Sequence, residues 1–139
     1  MSITTVLFDF DGVVADTEPL YDIFWGQIAE KYHIGIPDFS AKIKGTTLQR
    51  IYKLYFSDYS SEEHEKITRA CEEYEETMDF PEVKGAVQFL HMLKAKGFRV
   101  GLVTSSYRIK MERALKLLGL ETVFDTMVTA DRKPLALSI

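Results

Sequence analysis

Hydrophobic and polar positions follow two different periods along the first half of the chain. Residues 3–8 are an unbroken run of β-branched and apolar residues, which is typical of a strand covered on both faces. Apolar residues then recur at helical spacing and predict a helix over 17–32 and a short one over 47–56. Residues 60–63 (SSEE) are a capping-box sequence, so a further helix is expected over 61–78.

The second half of the chain alternates between helical and strand patterns. Helices are predicted over 83–96 and 106–118, each followed by a glycine that is typical of a C-terminal cap, and strands over 98–103 and 123–129. Together with the first strand, this order predicts a parallel sheet with crossover helices. The sheet pattern is interrupted by a helical insert at about 16–80.

Composition narrows the class of protein without identifying a function. The chain has 139 residues, 46% of them hydrophobic, and a net charge of −4, which gives no basic surface for nucleic acid. Cys71 is the single cysteine, which excludes an internal disulfide and a cysteine-based metal cluster. No apolar run is long enough to span a bilayer. The expected setting is cytoplasmic, with neither a membrane nor a nucleic acid as partner.

Two carboxylates stand where the first strand ends. In extended chain, residues two apart project to the same side, so Asp9 and Asp11 are expected to face one site at the carboxyl edge of the sheet. Such a pair can hold Mg²⁺, attack phosphorus, or transfer protons to and from a leaving group. The alternative is structural: a turn residue followed by an Asp-Gly turn at Gly12.

Hydroxyl residues follow the second predicted strand at the same edge. Thr104, Ser105 and Ser106 open a helix, and a hydroxyl beside free helical N–H groups forms a good phosphate site. The alternative is an ordinary helix N-cap at Ser105 or Ser106. Their expected position beside Asp9 and Asp11 favours the phosphate site.

The first motif resembles that of a known family. The string FDFDGVVADTE, residues 8–18, is similar to the first motif of the haloacid-dehalogenase superfamily, in the branch of β-phosphoglucomutases and sugar-phosphate phosphatases. The strand ending LVTS, residues 102–105, resembles the second motif. The resemblance implies an α/β fold: a Rossmann-like parallel sheet in an incomplete core, 1–15 and 81–139, with an inserted α-helical cap over 16–80.

The resemblance also implies roles for individual residues. Asp9 would be the nucleophile and a Mg²⁺ ligand, and Asp11 the general acid and base, with its backbone carbonyl on the metal. Thr104 would hold the transferring phosphoryl group, with Ser105 beside it. Lys44-Gly45 resembles the cap loop that reaches the substrate.

Departures from the family pattern refine these expectations. Tyr21 stands where the phosphoglucomutase pattern has a histidine, and Leu48 where it has an arginine, which favours a phosphatase over a mutase. Lys133-Pro134 is either the phosphate-binding lysine of the third motif on a shortened loop or unrelated sequence. No acidic residue follows Asp131, so the fourth, metal-binding motif and its strand have no candidate, and the chain resembles a truncated member.

These observations lead to one main hypothesis and two alternatives. The main hypothesis is a Mg²⁺-dependent phosphohydrolase that cleaves a small phosphate ester, a phosphorylated metabolite such as a sugar phosphate, through an aspartyl-phosphate intermediate. One alternative is a non-catalytic binding module, which could form a homodimer that covers its open sheet edge. The other is phosphoglucomutase-like phosphoryl transfer. A receiver-like phosphoacceptor is disfavoured because of the long helical insert.

Overall fold

The computed structural model describes residues 2–131, which divide into two compact units. The sheet unit joins the chain up to Asp16 with the chain from Asp79 onward, and the helical unit is Thr17–Met78. In chain order the elements are β1 (Thr5–Phe8), α1 (Glu18–Lys31), α2 (Phe39–Ile43), α3 (Leu48–Tyr55), α4 (Ser61–Glu76), α5 (Ala86–Ala95), β2 (Arg99–Val103), α6 (Arg108–Leu117) and β3 (Thr126–Val128). Over residues 2–131, none of the helices has the length and hydropathy needed to cross a bilayer.

The strands of the sheet unit pair in parallel, in the order β1-β2-β3. Phe8 is opposite Leu102, and Leu102 is opposite Met127. Along the chain, the connection from β1 to β2 contains the helical unit and then α5, and the connection from β2 to β3 contains α6. Each pair of parallel strands is therefore joined by a helical crossover, as parallel strands require. The α/β parallel-sheet prediction is therefore confirmed.

Only one face of this sheet is covered within residues 2–131. Val100 and Leu102 are almost fully buried, whereas Leu7, Val103 and Val128 are 64%, 45% and 58% exposed. The register places these three exposed residues on one face, since Leu7 is opposite Gly101 and Val103 is opposite Val128. The expectation that β1 is covered on both faces is therefore wrong for the described part of the chain.

Two local features differ from the sequence predictions. The helix expected over 83–96 begins later, at Ala86, because Gly85 adopts a left-handed φ of 82° and the Val83 N–H donates to the Val14 carbonyl at 2.8 Å. The five-residue helix α2 was not predicted, since it is too short for a periodic signal.

The helical unit has its own aromatic core. Phe24, Trp25, Phe39 and Phe56 are each at most 5% exposed, and their rings meet mostly edge to face. Ring edges placed against ring faces give these contacts a preferred geometry in addition to the buried area. The unit therefore does not need the sheet to form a buried core of its own.

The predicted capping box is half correct. Ser60 Oγ accepts the Glu63 N–H at 3.2 Å, as expected at the start of α4. The Glu63 carboxylate does not close the box; it accepts the Tyr32 hydroxyl at 2.8 Å and the Lys66 ammonium at 3.2 Å. Burial and this carboxylate raise the pKa of Tyr32 to about 12.

Asp125 connects the start of β3 to its neighbours. Its Oδ2 accepts the Val100 N–H at 2.7 Å, and its two oxygens accept the Lys94 ammonium at 2.9 and 2.8 Å. The hydrogen bond from Lys94, followed by that from Val100, lowers the pKa of the Asp125 carboxyl. The carboxylate form is thus favoured in the folded state.

We expect Asp125 to contribute an acid-sensitive part of the stability. Because its folded pKa lies below its usual 3.8, the contribution is complete above that pH and is lost as the pH falls through the folded pKa. Asp125→Asn should therefore lower the urea midpoint at pH 6, and its difference from the unchanged chain should shrink below about pH 4. The exposed Glu121→Gln is the control. A difference that stays constant down to pH 3 would contradict this assignment.

An added Cβ at Gly101 would displace two neighbouring side chains. A Cβ there would stand 2.6 Å from Leu7 Cδ2 and 2.9 Å from Thr126 Oγ1. Gly101→Ala should cost about 0.5–1.5 kcal/mol in the free energy of unfolding, because the Leu7 and Thr126 side chains must leave their preferred rotamers. Adding Leu7→Ala should restore part of the loss. As a matched control, Gly26→Ala meets nothing within 4 Å on α1 and should stabilise by about 0.5–1 kcal/mol. Urea denaturation measures all three; equal effects at the two glycines would refute the steric explanation.

Candidate functional site

The chain turns sharply directly after β1, around a buried aromatic ring. Phe10 is fully buried and packs edge to face on Phe80, with ring centroids 6.1 Å apart. Its carbonyl accepts the N–H groups of residues 13–15 at 3.1, 2.8 and 3.2 Å, and Gly12 takes a left-handed φ of 80°. Because the ring and this carbonyl are both held, the two aspartates that flank Phe10 start from a fixed backbone.

These two aspartates, Asp9 and Asp11, have different surroundings. Asp9 is exposed, and its Oδ1 accepts the Phe10 N–H at 2.7 Å. The Asp11 side chain is 27% exposed and pairs with a lysine from another part of the chain. Two carboxylates of the same motif are thus placed in two electrostatic environments.

Thr104 begins the neighbouring loop after β2. It is 7% exposed, its N–H donates to the Val128 carbonyl at 2.9 Å, and its hydroxyl oxygen accepts the Ser106 N–H at 3.1 Å. Since Phe8 is opposite Leu102 in parallel strands, Asp9 and Thr104 both lie at the carboxyl edge of the sheet. The carboxylate loop and the hydroxyl loop therefore emerge side by side.

A buried lysine joins these two loops. Lys110 Nζ donates to Asp11 Oδ1 and Oδ2, both at 3.0 Å, and to Ser106 Oγ at 2.9 Å, while its side chain is only 2% exposed. Ser106 Oγ in turn donates to Asp11 Oδ2 at 3.2 Å. We call Asp11, Ser106 and Lys110 the carboxylate clamp.

Sequence reasoning did not identify Lys110, although a signal was present. Lys110 lies four residues after Ser106, and helical side chains point back toward the N-terminus of their helix. A lysine in the first turn of α6 is thereby directed to the sheet edge where Asp11 was expected. A charged residue one turn after a strand-end hydroxyl was the pattern to look for.

The alternative interpretation, an N-cap at Ser105 or Ser106, is wrong. The helix α6 begins after Tyr107, which provides no side-chain cap. Instead the Arg108 N–H donates to Asp131 Oδ1 at 2.6 Å, so a carboxylate from beyond β3 binds one of the first N–H groups of the helix. The phosphate site expected at this helix terminus must share it with Asp131.

The residues present fit a magnesium ion only in part. Within residues 2–131, no three His, Cys, Asp or Glu side chains gather into a metal-binding group. Mg²⁺ nevertheless often uses one or two carboxylates and completes its shell with water and phosphate oxygens. The exposed carboxylate of Asp9 meets that minimum, so the donor set suits Mg²⁺ with phosphate and not a fully protein-bound cation.

The predicted substrate residues of the insert lie in the helical unit. Lys44 is exposed, donates to Glu18 Oε2 at 2.9 Å, and is followed by Gly45 with a left-handed φ of 74°. The hydrogen bond that Lys44 donates to Glu18 raises the pKa of Lys44, so the ammonium form is favoured. Lys133, the predicted third-motif lysine, lies outside the described residues.

Tyr21 and Leu48, the two positions that differ from the phosphoglucomutase pattern, make contacts within the helical unit. The Tyr21 hydroxyl donates to the Glu75 carboxylate, and Leu48 packs against the aromatic core.

Comparisons with known proteins identify the family of the chain. The model of the haloacid dehalogenase-like hydrolase family matches residues 6–135. A relative named "Putative pyrophosphatase PpaX" in Caldanaerobacter subterraneus subsp. tengcongensis is 33% identical over 142 residues, covering 92% of this chain and 59% of the relative. The "Phosphorylated carbohydrates phosphatase" of Thermotoga maritima is 32% identical over 139 residues, covering 91% of this chain and 61% of the relative.

A solved structure shows the same fold. The "Putative haloacid dehalogenase-like hydrolase from Bacteroides fragilis" superposes with a TM-score of 0.76 at 21% identity, covering 99% of this chain and 72% of that one. The chain thus spans about three-fifths of the length of the two relatives above, which are 59% and 61% covered. Since the family model matches most of the sequence, the chain belongs to the haloacid dehalogenase-like hydrolase family.

Proposed function

We propose that the chain carries the nucleophile and phosphate-binding loops of a Mg²⁺-dependent phosphohydrolase that acts on a small phosphate ester. The observation that carries this proposal is the convergence of the β1 and β2 loops, in which Ser106 Oγ and Lys110 Nζ reach Asp11 at the edge where Asp9 is exposed. The phosphatase names of the relatives support the reaction class.

Asp9 is the proposed nucleophile because it is the exposed carboxylate of the pair. Its oxygen attacks phosphorus, the P–O bond to the alcohol breaks, and an acyl phosphate forms on Asp9. Asp11 supplies the proton that the departing oxygen takes up, then accepts one from the water that attacks the acyl phosphate. Inorganic phosphate leaves, and both aspartates return to their starting forms.

Thr104, Ser105 and Lys133 are the proposed phosphate-binding residues. Thr104 Oγ1 accepts the Ser106 N–H, which uses a lone pair and leaves the hydroxyl proton to donate to a phosphoryl oxygen. Mg²⁺, bound by Asp9 and phosphate oxygens, with the Asp11 carbonyl as the proposed further ligand, would neutralise negative charge on the phosphoryl group.

The helical unit is the proposed cap domain, and Lys44 and Gly45 are its proposed substrate contacts. A lysine ammonium is a point charge suited to a second anionic or hydroxylated part of a phosphate ester. Tyr21 hydrogen-bonds to Glu75, and both Tyr21 and Leu48 pack against the aromatic core of the unit. These contacts support a phosphatase and not a mutase. A phosphorylated sugar is the substrate class that we propose.

Asp9→Asn should abolish the reaction. Removing a nucleophile lowers kcat by roughly 10³-fold or more, because an amide oxygen forms no stable acyl phosphate. The assay is Mg²⁺-dependent release of phosphate from p-nitrophenyl phosphate by the complete chain, with the exposed Asp58→Asn as the matched control. Full activity of Asp9→Asn would refute the mechanism; phosphate binding by an inactive unchanged chain would instead indicate a binding module.

Lys44→Ala should weaken substrate binding more than it slows turnover. Loss of one charge-assisted hydrogen bond to a sugar phosphate is expected to raise KM about tenfold and to leave kcat within about twofold. The matched control is Lys42→Ala, an exposed lysine of the same unit. Equal KM values for the two variants would show that Lys44 makes no contact with substrate.

A further inference from the structure

The carboxylate clamp imposes different chemistry on the two aspartates of the first motif. Lys110 is nearly buried, and its ammonium donates to both oxygens of Asp11 and to Ser106 Oγ. The Ser106 hydroxyl donates a further hydrogen bond to Asp11 Oδ2. Both oxygens of Asp11 therefore accept hydrogen bonds from the α6 side of the site.

This arrangement follows from the cost of burying a charge. An ammonium that is 2% exposed has lost its hydration and requires a counter-charge in contact. Ionised Asp11 supplies that charge, and the charges of the pair then nearly cancel. In the proposed reaction, this is the form of Asp11 after it has protonated the departing oxygen. Asp9 is exposed and hydrogen-bonded through Oδ1 to the adjacent Phe10 N–H.

A metal ion would meet these two carboxylates differently. Coordination by Asp11 would require an oxygen lone pair that now faces an ammonium, and would bring a divalent cation close to a fixed positive charge. Coordination by Asp9 meets neither obstacle. The same two residues that look equivalent in the sequence are thus unequal as ligands.

We propose that Lys110, assisted by Ser106, is a positioning residue that withholds the Asp11 carboxylate from metal coordination and leaves metal binding to the Asp9 side chain. This inference rests on the proposed function, in which Asp9 and Asp11 have separate roles. It adds a reason for the separation that lies in α6 and not in the motif itself.

The test is the affinity for Mn²⁺, a spectroscopic substitute for Mg²⁺, measured by electron paramagnetic resonance on the complete chain in the presence of inorganic phosphate. Lys110→Met should tighten Mn²⁺ binding about tenfold, because the Asp11 carboxylate becomes available, whereas Lys110→Arg should stay within about threefold of the unchanged chain. Asp9→Asn should weaken binding at least about tenfold.

The decisive variant removes the clamp's ion pair as a whole. Lys110→Met with Asp11→Asn leaves no buried unpaired charge, so it is expected to fold even if Lys110→Met alone does not. Its Mn²⁺ affinity should lie within about threefold of the unchanged chain if Asp11 is not a ligand. A loss of about tenfold or more in this double variant, or no gain in a folded Lys110→Met, overturns the proposal.

These outcomes are distinguishable from failure of the proposed function. Metal affinity requires no turnover, so an unchanged chain that releases no phosphate but shows the expected series of affinities refutes the hydrolase and supports the role of Lys110. An unchanged chain without measurable Mn²⁺ binding overturns the inference, since the proposal assigns metal binding in that chain to Asp9. Absence of binding in every variant overturns the inference.

Discussion

The parallel pairing of β1 with β2 is the contact on which the site depends. Asp11 precedes Ser106 by 95 residues and Lys110 by 99, yet their side chains are in hydrogen-bond contact. The register that sets Phe8 opposite Leu102 brings the two strand ends to one edge, and Phe10 then holds the first loop against Phe80. A shift of this register would separate the carboxylates from the residues that orient them.

The site gains its asymmetry from burial and not from residue type. Asp9 and Asp11 carry the same functional group, but one is exposed and the other balances a lysine that is 2% exposed. A buried ammonium is tolerated only with a partner, so Lys110 and Asp11 constrain each other. Pairs of similar groups in different environments are a general means of dividing catalytic roles.

The two units are stabilised in different ways. The helical unit buries an aromatic core within Thr17–Met78. The hydroxyl of a core tyrosine, Tyr32, donates a hydrogen bond to the Glu63 carboxylate. The sheet unit relies on strand pairing and on one covered face, with Asp125 tying β3 to β2. Its other face keeps Leu7, Val103 and Val128 exposed in the described part of a chain that spans about three-fifths of its relatives' length.

The parallel α/β fold, the positions of most elements and the family could be predicted from the sequence, because periodicity, caps and the FDFDGVVADTE motif are local properties. The sequence also placed Asp9 and Thr104 at a common edge, since parallel strands end together. The neighbours of each carboxylate became known from the folded chain. Asp131 on the Arg108 N–H and Glu63 on Tyr32 are long-range contacts set by burial and register. The spacing of Ser106 and Lys110 directs the lysine to the sheet edge, but its pairing with Asp11 depends on how β1 and β2 align.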